Sequence, residues 1–230
     1  MAEPTSSPDL PPLARHELLW VTPEAWAEGL DLRPEPVEIP LIRDWAICGW
    51  PVIVRRRLQG EPEGRLPVGV PLPPVFGKRR VAVTVAAWGV VKHAPPPPLR
   101  SAAGAAGATW RRKIAGVLAL GERLGLEPAV FGSLLWQHHT GLSYLTASSD
   151  LDLLWRLPAN FALMPLLAGL AGADDAPPRL DGEIVFPDGS AINWRELWQA
   201  RHGDGPVLAK TMQGLHLAKA QALLAPVLTP

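Results

Sequence analysis

Four consecutive prolines, Pro95 to Pro98, constrain this chain more than any other feature. Proline fixes its own φ and has no amide hydrogen, so a run of them suits neither a helix interior nor a central strand. It favours extended polyproline II. The surrounding segment, Val91 to Thr109, reads VKHAPPPPLRSAAGAAGAT, and its Ala/Gly half offers little to pack. A chain of 230 residues has room for two compact domains. The sequence therefore predicts a mostly β domain over residues 1–94, a linker over 95–109 and a larger α/β domain over 110–230.

In the first part, Trp50 to Val54 and Val81 to Val91 (VAVTVAAWGVV) read as strands. Leu66 to Phe76 carries too many prolines for a central strand. Arg15 to Trp20 ends in an apolar Leu-Leu-Trp expected to dock on this sheet. In the second part, helical spacing runs from Trp110 to Leu124. Pro128 to Phe131 is a short strand or turn, and Gly132-Ser133 opens a helix that stops at Thr140-Gly141. Asp150 to Trp155 is a strand. Met164 to Ala171 is a helix with Pro165 in its first turn. Gly182 to Phe186 and Ala191 to Trp194 form a hairpin across Pro187-Asp188-Gly189-Ser190. Val207 to Lys210 is a strand, and Met212 to Leu224 a closing helix. The fold class is α/β (α+β).

Chemistry concentrates in two places. Asp150 and Asp152 are two apart on a strand, so they share a face while Leu151 and Leu153 take the other. Two carboxylates on one apolar strand repel each other unless a cation lies between them. Mg²⁺ prefers such oxygens and binds one or two carboxylates together with substrate phosphates. Upstream, Gly132 permits close backbone approach, and Ser133 offers a hydroxyl and an amide at a helix N-terminus, which attracts anions. Lys210 at a strand end is a candidate phosphate contact.

The order apolar-Gly-Ser, helix, Asp-apolar-Asp resembles the nucleotidyltransferase superfamily of the DNA polymerase β type. That resemblance implies a mixed sheet flanked by helices and a third carboxylate on a later strand. Asp181 and Glu183 both qualify, with Asp181 preferred. Sixteen residues separate Ser133 from Asp150, longer than the minimal motif. The strings VFGSLLWQHHTGLSYLTASSDLDLL, LDGEIVFPDGSAINWREL, VGVPLPPVFGKRRVAV and ARHELLW are similar to the malonate decarboxylase holo-acyl-carrier-protein synthase family, a phosphoribosyl-dephospho-CoA transferase. This resemblance implies transfer of 2′-(5″-phosphoribosyl)-3′-dephospho-CoA from its triphosphate precursor to a serine of the apo acyl-carrier protein, releasing pyrophosphate. It implies Mg²⁺ on Asp150, Asp152 and Asp181 (or Glu183), with phosphates at Gly132, Ser133 and Lys210. Lys78, Arg79 and Arg80 are candidates for the triphosphate or for an acidic carrier.

Competing readings stand beside these. A generic nucleotidyltransferase using ATP differs only in its donor, and a non-catalytic carrier-protein or nucleotide-binding module would need no metal. Gly132-Ser133 also fits a plain helix cap. Lys78-Arg79-Arg80 also fits a protected sheet edge. His138 and His139 are neighbours on a helix and poor joint metal ligands. Several of the ten tryptophans (Trp110, Trp136, Trp155, Trp194, Trp198) sit at expected core positions. Acidic and basic residues balance at 22 each, which removes any bulk electrostatic case for nucleic acid. The single cysteine, Cys48, excludes an internal disulfide and is expected to be buried and inert. A segment with Glu3 and Asp9 and no apolar stretch is not a signal peptide, and Leu157 to Ala173, broken by Pro158 and Pro165, is not a membrane span. A cytoplasmic location is expected.

Overall fold

The computed structural model describes residues 10–33, 39–77, 79–203 and 205–224. The segment tested for a signal peptide lies largely outside them. The chain divides into two compact units, residues 1–96 and 97–230. The fold is mixed α/β, with a smaller, β-rich first unit, as expected.

The first unit is built on a five-stranded antiparallel sheet. Its strands are β1 (Leu18–Val21), β2 (Val52–Val54), β3 (Leu66–Pro71), β4 (Arg80–Val85) and β5 (Val90–Ala94), in the order β4-β3-β2-β1-β5. The segment expected only to dock on the sheet supplies β1, one of its interior strands. Two helices, α1 (Pro23–Asp31) and α2 (Pro40–Arg43), complete the unit. Thr22 starts α1 by accepting the Ala25 amide at 3.2 Å. The core holds Trp26 and Trp45, both fully buried, and each indole N–H donates to a carbonyl, of Ile42 at 2.6 Å and Pro51 at 2.8 Å.

Three expectations change here. The proline-rich Leu66–Pro71 is an interior strand after all. Its register, Ile53↔Gly69 and Val54↔Val68, puts Pro67 opposite Arg55 and Pro71 opposite Pro51, just beyond the two ends of β2. The missing amide hydrogens therefore fall where the short β2 has ended. The single strand expected over Val81 to Val91 is two. A 3₁₀ turn at Ala87–Gly89 separates β4 from β5, which pairs with β1 at the opposite edge. Cys48 is exposed, in the turn that follows α2.

The second unit carries a six-stranded sheet. Its strands are β6 (Ala129–Val130), β7 (Leu151–Arg156), β8 (Leu180–Val185), β9 (Ala191–Asn193), β10 (Pro206–Lys210) and β11 (Leu215–Lys219), in the order β11-β10-β9-β8-β7-β6. Only β7 and β8 are parallel. The helices are α3 (Leu99–Ala102), α4 (Arg111–Leu124), α5 (Gly132–Thr140), α6 (Leu163–Ala173), α7 (Trp194–Gln199) and α8 (Ala220–Leu224). Helix α6 crosses from β7 to β8, as a parallel pair requires. It buries Leu163, Leu166, Leu167 and Leu170, and α4 buries Ile114, Val117 and Leu120. Among the described residues, no helix is long and apolar enough to cross a membrane.

The stretch expected as a linker is structured within this unit. Val130 donates to the Pro97 carbonyl at 2.9 Å, and Leu99 donates to the Pro128 carbonyl at 2.7 Å. Leu99 and Ala102 are fully buried, and Gln137 Nε2 donates to the Ala105 carbonyl at 2.7 Å. The four prolines fill the gap between β5 and α3, with Pro98 in an isolated bridge to Ala129, and the alanines then supply small apolar contacts. The closing helix expected over Met212 to Leu224 is instead β11 followed by the short α8. Thr211 and Gly214 close a tight turn, and β11 pairs with β10 along its full length.

Candidate functional site

One face of the second sheet collects four of the polar residues singled out in the sequence, Asp152, Asp181, Glu183 and Lys210. In a parallel pair, register partners point to the same side. Asp152 on β7 is the register partner of Asp181 on β8. Glu183 lies two residues along β8, and its partner on β9 is Asn193. Lys210 on β10 pairs with Ala191, which shares its face with Asn193. Four neighbouring strands therefore present Asp152, Asp181, Glu183, Asn193 and Lys210 in a patch.

Gly132 closes on this patch from the edge. The Phe131 amide donates to the Asp152 carbonyl at 3.1 Å, so the end of β6 is tied beside Asp152. Gly132 then takes φ +63°, which turns the chain off the sheet into α5. A Cβ at this position would lie 1.8 Å from Asp152 Oδ2 and 2.6 Å from its Cγ. The glycine backbone is thus packed directly on the Asp152 carboxylate. Ser133 is half-buried in the first turn of α5. The sequence reading paired Gly132-Ser133 with Asp150 and Asp152, and the structure packs Gly132 on Asp152.

The two hairpin acids differ sharply. Glu183 is 4% exposed and receives the Lys210 ammonium at 2.9 Å. Lys210, expected as a phosphate contact, is engaged by this buried carboxylate. Asp181 is half-buried, and its Oδ1 accepts from the Gly182 amide and from Asn193 Nδ2, both at 2.8 Å. Both donors are on the one oxygen, which fixes the carboxylate plane. Gly182 has φ +139°, and a Cβ there would lie 2.0 Å from the Leu153 carbonyl oxygen. Only glycine lets β8 approach β7 this closely beside the acids.

Asn193 was not found by reading the sequence. Its Oδ1 accepts the Arg195 amide at 2.9 Å, capping α7, while its Nδ2 holds Asp181. The asparagine ahead of Trp-Arg-Glu-Leu is the local signal for this cap, which the strand expected through Trp194 passed over. The second contact is tertiary. Arg195 adds a clamp on the same strand, donating to Asp174 and, at 2.7 Å, to the Leu180 carbonyl.

Asp150 lies one residue before β7 and forms an ion pair with Arg179 at 3.1 Å. The hydrogen bond from Arg179 to Asp150, then the charges of Asp150, Asp181 and Asp174, raise the Arg179 pKa above its ordinary value. Among the described residues, no three His, Cys, Asp or Glu side chains converge as a ready metal cage. The physical reason is visible: Asp150 is drawn to Arg179, and Asp181 to Asn193. The donor chemistry still suits a hard cation, which needs only one or two carboxylates when phosphate oxygens supply the rest.

Arg79 and Arg80 of the basic cluster belong to the first unit. Arg79 and Arg80 are exposed, at and just before the start of the edge strand β4. That placement fits edge protection. Lys78 lies outside the described residues. Trp110, Trp136, Trp155 and Trp194 are buried, and Trp198 is half-buried under the Arg201 guanidinium.

Comparison with known proteins covers nearly the whole chain. The family described as phosphoribosyl-dephospho-CoA transferase MdcG N-terminal domain matches residues 14–96, and its C-terminal counterpart matches residues 98–221. A phosphoribosyl-dephospho-CoA transferase of Bradyrhizobium diazoefficiens is 37% identical over 93% of this chain and 92% of its own length. Relatives of the same name are 34% identical in Xanthomonas campestris pv. campestris and 32% identical in Xanthomonas euvesicatoria pv. vesicatoria, each over 91% of this chain and 95% of the relative. No solved structure matches the chain.

Proposed function

Because this chain belongs to the phosphoribosyl-dephospho-CoA transferase family, and is therefore a transferase, we propose that the Asp152–Asp181 face is its active site. The proposed reaction moves 2′-(5″-phosphoribosyl)-3′-dephospho-CoA from its triphosphate precursor to a serine of the apo acyl-carrier protein of malonate decarboxylase. The serine oxygen attacks the phosphorus next to the ribose. The bond from that phosphorus to the bridging oxygen breaks, pyrophosphate leaves, and the serine proton is lost. The nucleotidyltransferase superfamily supplies the parallel for this chemistry.

The observation that carries the reading is the register pairing of Asp152 with Asp181, with Gly132 packed on the Asp152 carboxylate. Asp152 and Asp181, with Asp150 once Arg179 releases it, would hold Mg²⁺, whose charge would stabilise the departing pyrophosphate. The first amides of α5, from Gly132 and Ser133, would receive phosphate oxygens. Asn193 keeps the Asp181 carboxylate oriented. Glu183 and Lys210 neutralise each other on the same face.

The test is transfer in vitro. The protein is incubated with Mg²⁺, the triphosphoribosyl-dephospho-CoA donor and apo carrier protein, and the carrier is weighed by mass spectrometry. A mass gain on the carrier serine is expected. Asp152→Asn and Asp181→Asn should each abolish it while the circular dichroism spectrum persists. Adenylylation from ATP without transfer from this donor would replace the reading with a generic nucleotidyltransferase. Donor binding without turnover would replace it with a binding module.

A further inference from the structure

The pair between Arg179 and Asp150 is the contact at this face that must open before Asp150 can bind a cation. We propose that Arg179 is a donor-binding residue that exchanges partners: its guanidinium rests on Asp150 in the free protein and moves to the polyphosphate of the donor when a divalent cation takes Asp150. This rests on the active-site reading above.

Four observations carry the proposal. The Arg179 carbonyl accepts the Leu151 amide at 2.9 Å, so its backbone is pinned beside the start of β7. Its side chain is not pinned: it is 60% exposed, against 31% for Asp150. An exposed pair of this kind is weak and opens at small cost. The neighbouring cations are already engaged, Lys210 by the buried Glu183, and Arg195 by Asp174 and the Leu180 carbonyl. Finally, Asp152 and Asp181 are register partners two residues along their strands from Asp150 and Arg179, so acidic side chains border the approach of an anionic donor. A planar, permanently charged fork at its rim suits phosphate oxygens, which it can grip bidentately.

The exchange predicts effects of opposite sign, which a purely structural arginine would not give. Mn²⁺ serves as the cation probe and inorganic tripolyphosphate as the phosphate probe, both titrated calorimetrically into the full-length protein. In Arg179→Gln, Mn²⁺ alone should bind about two- to fivefold more tightly, the range that loss of an exposed ion pair allows. Tripolyphosphate in the presence of Mn²⁺ should bind about tenfold more weakly, as expected for a lost charge-assisted contact. Arg179→Lys keeps the charge without the fork and should fall between in tripolyphosphate affinity. Mn²⁺ binding that is unchanged or weakened in Arg179→Gln, or tripolyphosphate binding that is unchanged, overturns the proposal. These titrations contain no carrier protein. Failure of the carrier-transfer assay would therefore reject the proposed reaction and leave the partner exchange to be judged on its own.

Discussion

Replacing Gly132 by alanine tests the site at its tightest point. The backbone there has φ +63°, which a residue with a Cβ adopts at a cost of about 1–2 kcal/mol. The new methyl would also lie 1.8 Å from Asp152 Oδ2, 2.6 Å from Cγ and 3.0 Å from Cβ. Rotation about χ1 relieves the first two contacts and leaves the third, so β7 or the start of α5 must also shift. Overpacking of this kind adds about 1–3 kcal/mol. The sum, about 2–5 kcal/mol, corresponds to a fall in melting temperature of roughly 4–20 °C for a chain of this size. Transfer should fall by about a hundredfold, because the Asp152 carboxylate leaves its position. The decisive assay is a double-mutant cycle with Asp152→Ala, read by thermal or urea denaturation. Alanine at 152 spares the forced χ1 rotation of Oδ2 and Cγ but keeps the Cβ contact, so the Gly132→Ala penalty in that background should shrink by about 1 kcal/mol. Additive penalties, or Gly132→Ala enzyme that turns over at the native rate, would refute the packing argument.

Three further expectations follow from the same geometry. Asn193→Ser keeps an α7 cap but loses the donor to Asp181, so the melting temperature should hold while kcat drops about tenfold with donor KM unchanged; stability loss matching the activity loss would make Asn193 purely structural. Lys210→Met removes the ammonium from the buried Glu183 and should cost about 2–4 kcal/mol in urea denaturation, most of it recovered by adding Glu183→Gln; no recovery would mean the pair is not what stabilises this face. The Ser190 hydroxyl and amide lower the Asp188 pKa below its ordinary value of 3.8. That stability is fully present above the unfolded-state pKa and is lost as pH falls through the lower folded value, so Asp188→Ala should flatten acid destabilisation below about pH 4, and an unchanged acid limb would count against the Asp188 cap.

Local pattern carried much of this fold. The Asp-Leu-Asp strand, the hairpin across Pro187–Ser190 and the helix opened at Gly132 were legible because alternation and turn residues act within a few positions. The misreadings share one cause. The run Leu217 to Leu224 (LAKAQALL) is rich in helix formers, and pairing with β10 draws its first three residues into β11. Pro67 and Pro71 look like strand breakers until the shortness of β2 is known. The Ala-rich run after the prolines has no partner in sequence and several in space. For the site, Asp152 and Gly132 could be paired on paper. The separation of Asp181 from Glu183 could not, because it depends on Asn193 and Lys210 arriving from strands formed later in the chain. Arg179 carried no local signal at all.

Gly182 bears on how this face can change. Its missing side chain matches the Leu153 carbonyl, and β8 (LDGEIV) holds no second glycine that another alignment could set there. It therefore works as an indexing notch: slide β8 by one residue, and Asp181 turns to the opposite side of the sheet while the notch misses its tooth. Alignment of the acids is therefore read at the strands and not counted along the α6 crossover. Grafting this pair of strands onto another scaffold would carry the spacing of the acids with it, provided the glycine travels too.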